Sequence, residues 1–127
     1  MITVTLQHTD NLGPEADVPA LLRKLADRIR GAAGFAAEPV RVGSIVLTDY
    51  VVAGAEWASV TVTVRVPADK LAALKDGPFE ALADIADLHF ADLYAWRSVV
   101  LGFELEVQGR EGFIERRHPR PASAARY

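Results

Sequence analysis

The chain has 127 residues, half of them hydrophobic, no cysteine and a formal net charge of -3. That length fits one domain with a sizeable core and no disulfide or metal staple. The missing cysteines exclude thiolate chemistry, iron–sulfur clusters and cysteine-ligated zinc. Charge divides unevenly: residues 109–127 carry five arginines against two glutamates, a net of +3 that leaves -6 on residues 1–108. An acidic body argues against nucleic acid as its partner. With no basic-then-apolar leader at the start and no long apolar run, the expectation is a soluble cytoplasmic protein that does not enter a membrane.

Ile2, Val4 and Leu6 alternate with Thr3, Thr5 and Gln7, the period of a strand with one apolar face. A loop over 9–14 leads to Asp17 as helix N-cap, with Pro19 in the first turn. Val18, Leu21, Leu22, Leu25, Ile29 and Ala33 then share one helical arc, and Gly31 and Gly34 end it. Val40–Leu47 is nearly all apolar and predicts a well-buried strand, followed by an extended connection or hairpin over 49–56. Val60, Val62, Val64 and Val66 alternate with Thr61, Thr63 and Arg65 in the clearest strand, which Pro67 stops.

Residues 68–98 are helical in character, but Gly77-Pro78 divides them into a short turn and a main helix from about 78, capped by Asp76. Phe79, Leu82, Ile85, Ala86, His89, Phe90, Leu93 and Trp96 form its apolar arc. The last strand, at 99–108, sets Phe103, Leu105 and Val107 against Glu104, Glu106 and Gln108. Beyond Gly109 the chain is polar and basic, a C-terminal arm over 109–127. The order is βαβ twice, a pseudo-repeat of 1–56 and 57–108. Residues 2–6 match 60–64 at an offset of 58, and Val42-Gly43 matches Leu101-Gly102 at 59. Two right-handed βαβ units give an α+β fold: a four-stranded sheet with both helices on one face. The second and fourth strands are apolar enough that the open face predicts homo-oligomerisation.

Phosphate-binding loops, nucleophile elbows and zinc-protease motifs are absent from the sequence. Ser44 after Gly43 reads as strand backbone, and His8-x-Asp10 is too small a cluster for a metal, so neither metal nor cofactor is expected. His89 is either a proton shuttle or, the favoured reading, a core histidine satisfied by a hydrogen bond. Arg41 inside an apolar strand either lines a pocket that takes a carboxylate or pairs across a subunit contact. Lys70 offers a second positive charge, with a solvated lysine as the plainer reading.

One ordered series carries a resemblance: Asp10-Asn11-Leu12, residues 15–21 (EADVPAL), Phe35, Arg41, Trp57-Ala58, the 60–66 strand, His89-Phe90 and residues 103–106 (FELE). Over residues 1–108 it resembles the 5-carboxymethyl-2-hydroxymuconate isomerase family of the tautomerase superfamily. The resemblance implies a homotrimer whose three sheets line a central barrel, and a site in which arginines hold a small anionic substrate. It also implies a proline after the initiator methionine, whose amine moves a proton in a keto acid. Arg41 falls on a family arginine. The proline does not carry over, because position 2 is Ile2, a residue that also disfavours methionine removal. The amine then belongs to Met1, roughly 3.3–3.6 Å along the chain, where an α-amine of ordinary pKa is mostly protonated at neutral pH. The family's next arginine is Gly43, and its arginine after the third strand is Lys70. The expected outcome is loss of proline-dependent isomerisation, with Met1, His8 or Tyr50 as substitute bases and Arg41 binding the anion. The alternative is a non-catalytic trimer that binds a small anionic ligand or a protein.

Overall fold

The structure, a computed structural model, describes residues 1–51 and 57–109 together with 114, 116, 118 and 119. The connection at 52–56 and most of the basic arm lie outside the described residues. Four strands, β1 (Ile2–Thr9), β2 (Val40–Leu47), β3 (Ala58–Pro67) and β4 (Val99–Gln108), form one sheet in the order β2-β1-β3-β4. β1 runs parallel to β2 and β3 parallel to β4, while β1 and β3 meet antiparallel. The helices are α1 (Val18–Arg30), α2 (Leu71–Lys75), α3 (Pro78–His89) and α4 (Ala91–Tyr94). This is the expected pair of βαβ units.

The alternation in β1 and β3 works as the period of two requires. Ile2, Val4 and Leu6 with Ala58, Val60, Val62, Val64 and Val66 form a buried sheet face. Val18, Leu21, Leu25 and Ile29 of α1, and Leu82 and Ala86 of α3, close over it. Asp17 caps α1 as expected, its Oδ1 accepting from Ala20 N at 3.3 Å, and does so at φ 45, a left-handed conformation that aspartate tolerates. Gly34 (φ 84) reverses the chain after α1, where a β-carbon would be strained.

Several local expectations are corrected. Beyond the end of α1 at Arg30 the chain leaves helical phase, so Ala32 is buried and Ala33 exposed. Gly77, not Asp76, occupies the N-cap of α3; it takes φ 102 to turn into Pro78, and Asp76 instead ends α2. The helix breaks at Phe90, so Trp96 leaves the arc and is 57% exposed, while Leu93 stays buried. At the end of β4 the alternation inverts: Gln108 is buried and Val107 exposed, because the Gln108 side chain reaches Met1.

β2 is the largest departure. Its apolar sequence predicted burial, yet Ile45 and Val46 are about half exposed in the single chain. It is an edge strand, and only Val40 and Val42 reach the helix layer. The open sheet face differs as well. Register places Arg41, Thr3, Arg65 and Glu106 in one row across it, and Gly43, Thr5, Thr63 and Glu104 in the next. These two rows are polar, and the exposed apolar side chains of the sheet are on the outer strands, Ile45 and Val100 on this face and Val46 and Val107 on the helix side.

The halves also align differently from the sequence match. Ile2 N–H donates to the Pro39 carbonyl and Ala58 N–H to the Ser98 carbonyl, both at 2.9 Å. Structural equivalence is therefore Ile2 with Ala58 and Pro39 with Ser98, offsets of 56 and 59. A shift of two preserves the face, so sequence alternation alone cannot detect it.

Replacing Leu25, fully buried between α1 and the sheet, by alanine should lower stability by about 2–5 kcal/mol. Leu88→Ala, at a residue 80% exposed, should change it by less than about 0.5 kcal/mol. Urea melts of the two variants beside wild type check both.

Candidate functional site at the start of the first strand

The sheet has two ends. The starts of β1 and β2 and the finishes of β3 and β4 share one, because the two parallel pairs run in opposite directions. Met1, Glu38, Arg41, Lys70 and Gln108 belong to this end. His8, Tyr50 and Trp57 belong to the other.

At the first end the Met1 ammonium pairs with Glu38 Oε1 at 2.9 Å, both side chains being only partly exposed. Its carbonyl accepts from Gln108 Nε2 at 2.7 Å, and Ile2 N–H is held by Pro39. Three strands thus fix the chain's first residue: β1 itself, the entry to β2 and the last residue of β4. The Ile2 side chain is fully buried in the core. Position 2 therefore packs rather than presents chemistry, and the polar group at this end is the Met1 amine.

Arg41 lies on the open face, beside Thr3 in register. It is exposed and makes no hydrogen bond or ion pair with the described residues. Since Pro39 stands beside Met1, Arg41 is one face-row away, about 6.6 Å along the strand. On the far side of Thr3 is Arg65, two strand spacings or about 10 Å from Arg41 between α-carbons. Arg65 was not singled out from the sequence. The signal was present, because it is the one charge in the Val/Thr alternation of β3. Its pairing with Glu106, 3.6 Å at half-exposed side chains, is weak enough to yield to a ligand.

Lys70 reaches the same end but is engaged. Nζ donates to the Gly34 carbonyl at 2.9 Å and sits 5.7 Å from the Phe35 ring centroid. It pins the turn whose Phe35 carbonyl receives the Glu38 N–H. His8 is seven residues from Met1, about 23 Å along β1, and its Nδ1 donates to the Thr9 carbonyl at 2.8 Å. Tyr50 lies near Asp10 and Arg97. Desolvation, then interaction of the hydroxyl with the Asp10 carboxylate, push it above the ordinary range, against a smaller pull from Arg97. A phenol held protonated is a donor at neutral pH, not a base.

His89 behaves as a structural histidine. Lys24 Nζ can only donate, so Nδ1, at 2.8 Å, accepts, and Nε2–H donates to the Ala16 and Asp17 carbonyls at 2.7 and 3.0 Å. The ring ties the end of α3 to the start of α1. Among the described residues no group of three or more His, Asp or Glu is placed to hold a metal, and no helix is long and apolar enough to cross a membrane.

A family model of 5-carboxymethyl-2-hydroxymuconate isomerase matches residues 3–116. The chain belongs to that family. The match runs beyond β4 into the first part of the basic arm, further than the resemblance read from sequence. Among solved structures the chain is similar to a 5-carboxymethyl-2-hydroxymuconate isomerase from Deinococcus radiodurans R1, with 27% identity, TM-score 0.82 and coverage of 92% of this chain and 90% of that one. A 5-carboxymethyl-2-hydroxymuconate delta-isomerase shares the fold at 21% identity and TM-score 0.79, over 93% and 89% of the two chains. A macrophage migration inhibitory factor-like protein from Entamoeba histolytica shares it more distantly, at 13% identity and TM-score 0.56, over 90% and 95%. No curated protein sequence matches the chain. The tautomerase-like fold is thus shown, with helices on one side of a four-stranded sheet.

A titration test follows from the far end of the sheet. Burial, then donation to Asp87 Oδ1 at 2.9 Å, push the Tyr94 hydroxyl up to about 12. A phenol raised above its unfolded value of 10.0 adds stability that is complete below that value and lost as pH climbs through the folded one. Tyr94→Phe should therefore flatten the fall in melting temperature between pH 10 and 12 relative to wild type, and should remove the latest-titrating phenolate absorbance.

Proposed function

We propose that this family member binds small oxo or enol carboxylic acids at the Met1 end of the sheet and has lost proline-dependent keto–enol isomerisation. The observation that carries the reading is the Met1 ammonium seated on Glu38 at 2.9 Å, one face-row from Arg41, which has no partner among the described residues. Arg41 supplies the planar fork that recognises a carboxylate. Arg65 flanks it across Thr3 and stands in for the second family arginine, whose position is Gly43. Lys70, drawn onto Gly34, tunes the turn that carries Glu38.

Proton transfer at this site runs through the Met1–Glu38 pair. The ammonium is a proton donor, and only after yielding a proton can the amine act as base. Such a pair handles the enol-to-keto direction, delivering a proton to carbon, more readily than abstraction from a carbon acid. A positioned general base is worth about 10²–10⁴-fold, so the activity lost with the proline is of that order. The second reading, a non-catalytic binder of small anions, is favoured by the same ion pair, which engages the amine with Glu38 while Arg41 is exposed on the open face.

Assembly as a homotrimer completes the reading. The exposed apolar side chains on the outer strands, Ile45, Val46 and Val100, support contacts between copies. The basic arm over 109–127 is complementary to the -6 body of a neighbour.

Intact-mass measurement should find Met1 retained, and Arg41→Ala should weaken binding of a simple enol-pyruvate or oxo acid by about tenfold or more. Equal binding by wild type and Arg41→Ala would sink the site. Efficient ketonisation by a chain processed to Ile2 would sink the claim that the proline's chemistry is lost. Measurable turnover that falls with Arg41→Ala selects the enzyme; binding without turnover selects the binder.

Sedimentation should give three 13.8 kDa chains, with the assembly weakened by high salt and by truncation at Gly109. Trimers indifferent to both would show that the arm makes no electrostatic contact.

A further inference from the structure

Three cations at the Met1 end of the sheet are each answered by the chain itself. The Met1 ammonium has Glu38 Oε1 at 2.9 Å, Lys70 Nζ donates to the Gly34 carbonyl at 2.9 Å, and Arg65 Nε has Glu106 Oε2 at 3.6 Å. Arg41 has no partner among the described residues. Register lines up Arg41 on β2, Thr3 on β1, Arg65 on β3 and Glu106 on β4 across the open face. The next row ends in Glu104, about 6.6 Å along β4 from Glu106. The face therefore carries an unanswered guanidinium on its β2 side and two carboxylates on its β4 side.

A ligand whose carboxylate sits in the Arg41 fork and whose body follows the row crosses Thr3 before it meets Arg65. A second carboxylate at its far end reaches a guanidinium that Glu106 already occupies. It must displace Glu106 and then lie beside that carboxylate, with Glu104 one row away, and like charges so placed repel. Turned instead toward Met1, it meets an ammonium already seated on Glu38. A methyl at the same end displaces nothing. The Arg65–Glu106 pair is half-exposed and weak, so it does not bar a dicarboxylate but lowers its affinity relative to a monocarboxylate.

We infer that Glu106 is a specificity-determining residue of this site, which selects monocarboxylates over dicarboxylates by holding Arg65 against a second anionic group. The inference rests on the reading that Arg41 takes a carboxylate.

Calorimetric titration of the full chain at fixed ionic strength tests it with two five-carbon acids, 2-oxopentanoate and 2-oxoglutarate. They differ only in a terminal methyl against a carboxylate. Wild type should bind 2-oxopentanoate the more tightly. Glu106→Gln should bind 2-oxoglutarate about fivefold more tightly than wild type does, with 2-oxopentanoate unchanged. Adding Arg65→Gln to Glu106→Gln should abolish that gain. Glu80→Gln removes the same charge from the exposed surface of α3 and should leave the ratio of the two affinities as in wild type, which separates a local effect from one of net charge. Equal or tighter binding of 2-oxoglutarate by wild type would overturn the inference. So would a ratio unmoved by Glu106→Gln, or moved as far by Glu80→Gln. Arg41→Ala should weaken both acids. If it does so while Glu106→Gln leaves the ratio alone, only the inference fails; if it weakens neither, the reading beneath it fails too.

Discussion

The antiparallel seam between β1 and β3 is the constraint on which the arrangement of chemical groups depends. Each βαβ unit alone is a parallel pair with one helical cover. Joining the units through β1 and β3 turns one pair against the other, so each end of the sheet receives two strand starts and two strand finishes. Met1 is consequently placed beside the entry to β2 and within reach of the finish of β4. That is how residues 1, 38 and 108, far apart in sequence, meet in two polar contacts. His8, at the far end of the same strand, lies a strand's length from Met1.

Packing and chemistry compete directly at the first two residues. β1 must present Ile2, Val4 and Leu6 to the helices, and the buried seam fixes that phase; slipping β1 by one residue would expose all three. Ile2 is thus committed to the core before any question of catalysis arises. Met1 has the opposite phase, on the open face with Thr3 and Arg41, and its ammonium has Glu38 to compensate it. A charged amine near an apolar layer needs such a partner, and Glu38 supplies it.

The βαβ–βαβ order, the helix break at Gly77-Pro78 and the N-cap at Asp17 were legible because each rests on local physics: period, proline sterics and side-chain capping. Arg41 was legible for the same reason, as a charge interrupting an apolar strand. Arg65 was passed over because Val/Thr alternation makes any outward residue look merely solvated; only the register with Thr3 brings it beside Arg41. Glu38 carried no signal at all, since its partner is a backbone amine 37 positions earlier in the chain. β2 was misjudged because apolar composition reports a need for burial without saying what supplies it. In one chain the helices satisfy only Val40 and Val42.

That unmet need is informative once the open face is separated from the outer strands. Thr3, Thr5, Thr61, Thr63, Arg41, Arg65, Glu104 and Glu106 can face water without penalty, so the middle of the sheet does not itself demand a cover. Ile45 and Val46 on β2 and Val100 and Val107 on β4 are different, being exposed apolar groups on the strands that are outermost among the described residues. Contacts that bury the outer strands and leave the centre polar would join sheets side by side around a hydrated interior. In such an arrangement Arg41, on an outer strand and facing inward, sits close to a neighbour while its guanidinium stays on the polar side. The pocket reading and the subunit-contact reading of this arginine then cease to be alternatives, because one position on an outer strand serves both.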